Sequence, residues 1–304
     1  MVATKIPVNN HIRETQADKA LSYINLVIAI IFLLIFLYPL YYVVIAGVSD
    51  PKYIWSGEIT ILPKGFHLDG YAKVLQNRDL LTGYCNSIFY TAVGTIFSLI
   101  LTISAAYPLA QKELMLRGFF SKILTFTMLF SGGLVPTYLL VKSLGFLDTV
   151  WSVLLTGTIS VTNIIITRTY FETTIPDELR EAALLDGAGP FRFLFSIALP
   201  LSKAILAVMA LYYGVTHWNA YFRAMIYLFD RSLFPLQLVI REILFSSSAL
   251  IETAGDMEDY AMLMRQAETL KYCVIVVAAL PPMIAYPFVQ KFFVKGVMIG
   301  SVKG

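Results

Sequence analysis

The chain has 304 residues, of which 58% are hydrophobic and 14% are charged, and its mean hydropathy is +0.71. A soluble domain of this size has about a quarter charged residues, so the composition argues against a soluble protein and indicates a membrane protein. The net charge of +3, with no basic run, argues against a nucleic-acid-binding protein.

Six windows are long and apolar enough to cross a bilayer, which requires about 20 mostly apolar helical residues. None contains Asp, Glu, Lys or Arg, and we predict an all-α membrane protein with transmembrane helices at 24–48, 87–110, 123–141, 149–167, 204–222 and 272–290. The first window is too long for a signal peptide and has a flank of mixed charge, so we interpret it as a retained helix. The segment Ser232–Ile240 is too short to span and is predicted to be a surface or interfacial element.

The distribution of Lys and Arg predicts the orientation of these spans. With the N-terminus inside, the inner segments contain 13 basic and 8 acidic residues, and the outer segments contain 10 and 12. Because cytoplasmic segments carry the basic excess, both termini are expected in the cytoplasm. The predicted organisation is a cytoplasmic N-terminal segment (1–23), a six-helix domain (24–294) with outer loops at 49–85 and 223–271, and a cytoplasmic tail (295–304).

The third predicted span is interrupted by Gly132, Gly133 and Pro136. Such a break frees backbone groups that protein or cavity water must satisfy, which is typical of a bent helix or hinge beside a transport pathway. The alternative is close helix packing through small residues. The sequence alone leaves both interpretations open.

The two cysteines, Cys85 and Cys273, are too few to form a metal site by themselves. Both fall near the same membrane face in the predicted topology, so a disulfide is conceivable. The favoured interpretation is that they are small buried residues.

The long inner loop contains the sequence EAALLDGAGPFRFLFSIALP, from Glu181 to Pro200. Pro176 suits a first helical position, and acids follow it in the early turns, where they complement the helix dipole. Gly187 supplies a left-handed stop, and Pro190 begins a second short helix, which Pro200 ends. We predict a hairpin (176–200) whose first helix has about 11 residues and one apolar face. A lipid-anchoring helix is the alternative, but such helices favour Lys and Arg over the acids found here.

Polar and aromatic residues inside the spans are candidates for contact with a transported substrate, because polar groups in a bilayer usually face a cavity or another helix. The densest cluster lies on the fifth span. The alternative is that these side chains join helices or mark the membrane interface. The candidates are Asn86, Tyr90, Asn163, Tyr212, Tyr213, Thr216, His217, Trp218 and Asn219.

Four motifs together resemble the permease subunits of carbohydrate ABC importers of the maltose-transporter type. The first is the loop pattern Glu-Ala-Ala, three residues, Gly, nine residues, Ile-x-Leu-Pro, which resembles the EAA loop of that superfamily. The others are WNAYF (218–222), the tail QKFFVKGVMIGSVKG (290–304) and FSGGLVPTYLLVKSLG (130–145). The last motif, together with TLKYCVIVVAALPPMIAYPFVQ (269–290), is similar to a branch that handles larger oligosaccharides, such as the alginate importer.

This resemblance implies a non-catalytic permease in a bacterial cell membrane that imports an oligosaccharide. It implies a second, different permease, two ATPase subunits that bind ATP and Mg²⁺, and an extracellular sugar-binding protein. The tail (296–304) would contact the ATPases, although a frayed terminus is the alternative, and 252–265 would contact the binding protein. The residues expected to couple to the ATPase are Glu181, Ala182, Ala183, Leu185, Asp186 and Gly187.

The chain has no GxxxxGK[ST] motif, so the ATPase must be a separate polypeptide.

Two other classes of function fit the sequence less well. An ion-coupled secondary transporter or channel usually has ionisable residues within its spans, and only His217 qualifies here. A membrane-embedded enzyme is disfavoured because HExxH, GxSxG and intramembrane carboxylate pairs are missing from the sequence.

Overall fold

The computed structural model describes residues 15–252, 267, 270–288 and 290, and all the regular elements among them are helical. The chain divides into two compact units at residue 68. The first unit contains α1 (Gln16–Gly47) and α2 (Pro51–Trp55). The second unit begins at Asp69 and contains the remaining helices.

The first unit is built on the long apolar helix α1. Thr15 and Asp18 form a capping box at its start: Asp18 Oδ2 accepts from the Thr15 amide at 2.9 Å, and Thr15 Oγ1 accepts from the Asp18 amide at 3.2 Å. Most of the large apolar side chains between Leu21 and Val44 are exposed. The helix therefore presents an apolar surface that lipid or another protein can cover.

The helices of the second unit are, in chain order, α3 (Asp69–Gln76), α4 (Arg78–Ala110), α5 (Arg117–Leu129), α6 (Leu134–Ser143), α7 (Val150–Leu155), α8 (Val161–Thr174), α9 (Asp177–Leu185), α10 (Pro190–Phe193), a π-helical turn (Leu194–Ala198), α11 (Leu199–Leu201), α12 (Lys203–Trp218), α13 (Tyr221–Tyr227), a 3₁₀ turn (Arg231–Leu233), α14 (Leu236–Glu252) and α15 (Leu270–Phe288).

Helix α4 is the centre of the second unit and packs against α8, α12 and α14. Its buried side consists largely of small or hydroxyl-bearing residues, which let neighbouring helices approach closely. Near one end, Ser87 Oγ accepts from the amide of Leu236 at 2.8 Å. The small and hydroxyl-bearing residues on this side are Gly83, Ser87, Gly94, Ser98, Thr102 and Ala106.

A substitution at Gly94 tests this close packing. A Cβ atom added there would lie 2.7 Å from the ring of His217 on α12. We expect Gly94→Ala to destabilise the protein by about 1–3 kcal/mol because overpacking forces the helices apart. Gly118→Ala on α5, where a Cβ meets nothing within 4 Å, is the matched control. Equal thermal unfolding midpoints for the two variants in detergent would contradict the prediction.

The third predicted span is a bent pair of helices. The chain bends by 112° between α5 and α6, at residues 130–133. Gly133 has φ +84°, a conformation favoured by glycine, and a Cβ at Gly132 or Gly133 would meet no neighbour closer than 3.8 Å. The structure therefore favours the bend over close packing at these two glycines. A second bend, of 82°, separates the segment 190–201 from α12.

The fourth predicted span, 149–167, is not one helix. Helix α7 ends at Leu155, Gly157 follows with φ +89°, and Ser160 caps the start of α8, which continues to Thr174. Within the described residues, three helices (α1, α4 and α15) are long and apolar enough to span a membrane, or up to five spans if each bent pair counts as one. Six spans are therefore not confirmed.

The segment Ser232–Ile240 is not a surface element. After the 3₁₀ turn it begins α14, and Leu236, Leu238 and Val239 are buried in the core that α4 and α15 share. Cys273 on α15 is buried in the same core, whereas Cys85 is exposed, and no disulfide joins them. The prediction of a surface location was wrong. It rested on the segment being too short to span a membrane, but its apolar side chains are buried in the protein core.

Candidate functional site

In the region predicted as a hairpin, 176–200, the structure has two helical arms: α9, of 9 residues, and a second arm that runs through Pro200 to Leu201. Pro176 lies at the N-cap of α9 rather than inside its first turn, and α9 ends at Leu185. Gly187 has φ +75°, and its amide donates to Leu184 O at 3.0 Å while the Ala188 amide donates to Ala183 O at 2.8 Å. These two hydrogen bonds form a complete Schellman motif, which fixes the turn before α10 begins at Pro190.

The buried side of α9 contacts the chain's own core. Ala183 is buried in a cluster that includes Tyr107 of α4, Phe171 of α8 and Phe193 of α10. Its small side chain therefore lets α9 lie close to its own chain, and it is not presented to a partner. The other predicted coupling residues are exposed, namely Glu181, Ala182, Leu185, Asp186 and Gly187.

The residues on either side of the hairpin turn include three exposed apolar side chains, which we call the apolar tip. It consists of Leu184, Leu185 and Phe191, whose exposed fractions are 61%, 90% and 77%. Exposing three large apolar side chains so close together in sequence is unfavourable in water, and exposed apolar surface of this kind marks interaction sites. The apolar tip is thus a candidate surface for another protein.

Ion pairs tie α9 to the connection between α4 and α5. Lys112 Nζ lies 2.6 Å from Asp177 Oδ2, and Arg180 Nη2 lies 2.6 Å from Glu113 Oε1. Arg180 also donates to Gln111 Oε1. The hydrogen bond from Lys112 lowers the pKa of Asp177, and the same bond raises the pKa of Lys112. We call this set of contacts the loop clamp.

A second ion cluster holds α5 against α8. Glu172 pairs with Arg117 and accepts from Arg168 Nε at 2.9 Å, while Arg117 Nε also donates to Leu109 O at 2.8 Å. Partial burial raises the pKa of Glu172, but the hydrogen bonds and positive charges of the two arginines bring it below its usual range. The connection that receives the loop clamp is therefore itself held in place.

Two cavities lie beside the hairpin. The smaller, of about 160 Å³, is lined by loop-clamp residues together with Arg117 and Glu172. The larger is an open apolar groove of about 1140 Å³ between α4 and the hairpin, and Phe191 and Phe195 lie along it. Neither cavity lies against α12, where the sequence predicts sugar contacts.

The predicted sugar-contacting residues divide into two sets. In the first, side chains join helices: the Tyr213 hydroxyl and Thr102 Oγ1 are 2.6 Å apart, and His217 Nε2 lies 3.1 Å from Ser98 Oγ. The other members of this set are Asn86, which donates to Ser232 O and Phe234 O, Tyr90, which donates to Leu233 O, and Trp218, which packs edge-on against Tyr84.

The second set is accessible. Tyr212, Thr216 and Asn219 are exposed on one side of α12, at spacings of four and three residues that place them on one face. Asn219 Nδ2 donates to Val215 O of its own helix at 3.0 Å. Asn163 is half-buried in the first turn of α8 and is thus on a different helix from the other three residues.

Sequence reasoning did not single out Arg180, Lys112 or Arg223. Lys112 and Arg180 lie in two different inner segments, and each segment also contains an acid, so ion pairs between the two segments could have been suggested. Arg223 directly follows the WNAYF motif, and its guanidinium donates to Thr156 O and, at 3.4 Å, to Thr216 O. Gly157 permits this approach, because a Cβ there would overlap the Arg223 side chain.

Two predicted contact segments lie outside the described residues. The tail, 296–304, belongs entirely to this part of the chain, and so does nearly all of 252–265. Their proposed contacts stay predictions.

Comparison with known proteins shows similarity over nearly the whole chain. Protein LplC of Bacillus subtilis (strain 168) is 41% identical over 266 residues, which cover 88% of this chain and 89% of the relative. The polygalacturonan/rhamnogalacturonan transport system permease protein YtcP of the same organism is 38% identical over 90% of this chain and 95% of its own length. No protein-family model matches the chain.

A solved structure is also similar. One chain in the crystal structure of a bacterial ABC transporter involved in the import of the acidic polysaccharide alginate superposes with a TM-score of 0.82. The two chains are 32% identical, and the match covers 92% of this chain and 99% of the other. The chain is therefore similar in fold to a chain of an ABC transporter.

Proposed function

Because this chain belongs to the permease subunits of sugar ABC transporters, we propose that it is one of two different permeases in an ATP-driven oligosaccharide importer. An extracellular binding protein delivers the sugar, and two separate ATPase subunits bind ATP and Mg²⁺. The chain itself carries no catalytic residue and no cofactor. The names of the relatives, which include polygalacturonan/rhamnogalacturonan and alginate, support an oligosaccharide or polysaccharide fragment as cargo.

The observation that carries this proposal is the two-sided hairpin. Ala183 is buried in the permease, whereas Leu185 in the apolar tip is 90% exposed. An exposed apolar patch bounded by acids at Glu181 and Asp186 suits a groove on a partner protein. The ATPase subunit is the partner we assign to it.

Movement of the hairpin reaches the spans through the loop clamp. A push on α9 acts on residues 111–113 through Lys112–Asp177 and Arg180–Glu113. Those residues directly follow α4, which packs against α8, α12 and α14. ATP drives such a change only to the extent that the ATPases bind it more tightly in one state than in the other. The proposed outcome is alternation between inward-facing and outward-facing arrangements.

The chain is a multi-pass membrane protein, and we propose that the hairpin and both termini are cytoplasmic in a bacterial cell membrane. The basic excess of the inner segments supports this orientation. For sugar contact, the proposal gives most weight to the accessible residues Tyr212, Thr216 and Asn219. The set that joins helices would act mainly by shaping the pathway.

Co-purification tests the proposed function. The tagged chain, expressed with the genes beside its own and solubilised gently, is expected to retain a second permease and an ATPase. ATP hydrolysis by the complex in liposomes should rise when a sugar-loaded binding protein is added. A complex without an ATPase, or hydrolysis that ignores every loaded binding protein, would refute the proposal.

Gly187→Val is expected to impair transport more than membrane insertion. A β-branched residue at φ +75° strains the backbone by about 1–2 kcal/mol, which weakens the Schellman turn and shifts the apolar tip. Gly189→Val is the matched control, since Gly189 has φ −70° and, like Gly187, open space around it. Transport divided by the amount of inserted protein is the measurement. An equal loss in both variants, or a loss of insertion alone, would contradict the expectation.

A further inference from the structure

Arg223 holds a positive charge beside the accessible face of α12. Its two described hydrogen bonds go to Thr156 O and Thr216 O. Thr156 is the C-cap of α7, and Thr216 lies in the last turn of α12, so both carbonyls come from helix ends that lack intrahelical donors. The guanidinium thus joins the ends of two helices and is fixed in place by them.

The charge of Arg223 is not neutralised by any ion pair among the residues the structure describes. Asp148 precedes Thr156 on the chain and Asp230 follows Arg223, and both carboxylates have other partners: Asp148 Oδ1 accepts from the amides of Phe229 and Asp230 at 2.8 Å, and Asp230 Oδ1 accepts from the amide of Ser232. Arg231, by contrast, pairs with Glu242 at 3.1 Å and lies 3.8 Å from Asp79. A guanidinium has five N–H donors, and the two carbonyls leave others available.

The surroundings of Arg223 combine three kinds of group. Its bond to Thr216 O places the guanidinium at the C-terminal end of α12, whose exposed face carries Tyr212 and, at the C-cap, Asn219. Tyr212 offers an aromatic ring that is 50% exposed, and Asn219 offers an amide oxygen while its nitrogen bonds Val215 O. An aromatic ring can pack on the apolar face of a sugar ring, and an amide can bond the sugar hydroxyls. A fixed cation can bind a carboxylate attached to the sugar.

We propose that Arg223, Tyr212 and Asn219 form a subsite for the carboxylate-bearing sugar units of an acidic oligosaccharide. The inference rests on the proposed importer function and adds the charge of the cargo to it. A guanidinium binds a carboxylate through two parallel hydrogen bonds, a geometry that an ammonium group cannot reproduce. A neutral oligosaccharide would supply no counter-charge to this partly buried cation, which forms no ion pair within the described residues.

The test compares two probes with the same sugar units, one with carboxylates and one in which methyl esters neutralise them. They are a trimer of galacturonic acid and its fully methyl-esterified form, titrated against the complete transporter complex in detergent without the binding protein. We expect the wild-type complex to bind the acid at least about tenfold more tightly than the ester, as loss of a charge-assisted hydrogen bond predicts. Arg223→Gln should remove this preference and leave the affinity for the ester within about twofold of the wild type.

Two further variants separate binding from structure. Arg231→Gln, which removes a nearby arginine that already has acidic partners, should leave both affinities unchanged. Arg223→Lys keeps the positive charge but cannot form two parallel hydrogen bonds with a carboxylate. It should therefore lower the affinity for the acid and leave the affinity for the ester unchanged. If the Arg223→Gln complex does not assemble, the lysine variant decides: selective loss of the acid supports the subsite, and equal loss of both probes overturns it.

Other outcomes overturn the subsite directly. These are no binding of the acid by the wild type, equal binding of acid and ester, or wild-type affinities in Arg223→Gln. None of them affects co-purification with an ATPase or hydrolysis stimulated by a loaded binding protein. Failure of those two measurements would instead remove the importer function itself.

Discussion

Leu185→Asp is expected to abolish ATPase binding and leave the permease folded. The Leu185 side chain is 90% exposed in the chain alone, so a carboxylate there costs the isolated fold little. In an apolar groove of a partner, the same carboxylate would be desolvated without a counter-charge. We expect the affinity for the ATPase to fall by at least about 100-fold, as for a central interface residue. The amount of ATPase that co-purifies, and the rate of ATP hydrolysis stimulated by sugar, measure the loss.

Leu62→Asp is the matched control. Leu62 is 71% exposed in the first unit, in a predicted outer segment far from the hairpin in sequence. This variant should retain the ATPase. A Leu185→Asp complex that keeps a full complement of ATPase and normal hydrolysis would show that the apolar tip is not the binding surface. A lower unfolding midpoint in Leu185→Asp alone would point instead to a structural role.

Arg180→Glu is expected to uncouple ATP hydrolysis from transport without releasing the ATPase. The substitution removes the partner of Glu113 and Gln111 and places a third carboxylate beside Glu113 and Asp177. Glu113 is well exposed, so the pair itself contributes only about 0–1 kcal/mol, and the repulsion adds to its loss. The hairpin would then move without carrying residues 111–113 with it. We expect the sugar transported per ATP hydrolysed to fall by about tenfold.

A charge swap distinguishes a specific contact from general damage. Arg180→Glu combined with Glu113→Arg should restore part of the coupling, because the opposite charges meet again. Restoration should be incomplete, since Asp177 remains 3.6 Å from the position of the original guanidinium group. Arg192→Glu, a charge reversal elsewhere on the hairpin and outside the described ion pairs, is the control. No rescue by the swap, or equal uncoupling by Arg192→Glu, would contradict the loop clamp as the route of coupling.

The hairpin could be predicted from the sequence because its signals are local. Pro176, Gly187 and Pro190 each restrict the backbone of their own position. The structure has the left-handed turn at Gly187 and a helix start at Pro190, whereas Pro176 lies at the N-cap, one residue before the predicted first helical position. The orientation of Ala183 was harder to predict, because composition does not tell which side of a short helix meets its own chain. That side is decided by Tyr107 and Phe171, residues distant in sequence.

The broken helices could not be predicted from hydropathy. The window 149–167 contains no charged residue and is apolar on average, and this average hides the left-handed Gly157 and the cap at Ser160. For the same reason, the window 204–222 did not separate Tyr213, which bonds Thr102, from Tyr212, which is exposed. The contact of Arg223 with Thr156 O joins residues 67 positions apart, and no local pattern indicates it.

The π-helical turn at Leu194–Ala198 makes the direction of the apolar tip depend on the number of residues in the hairpin. Successive α-helical residues are rotated by about 100°, and a π turn accommodates one residue more than an α-helical path. Deleting a single residue from 194–198 would let residues 190–201 form a regular α-helix. The residues before the deletion would then be rotated by about 100° about the helix axis relative to the residues after it. Length changes here should therefore be selected against even where every side chain is replaceable.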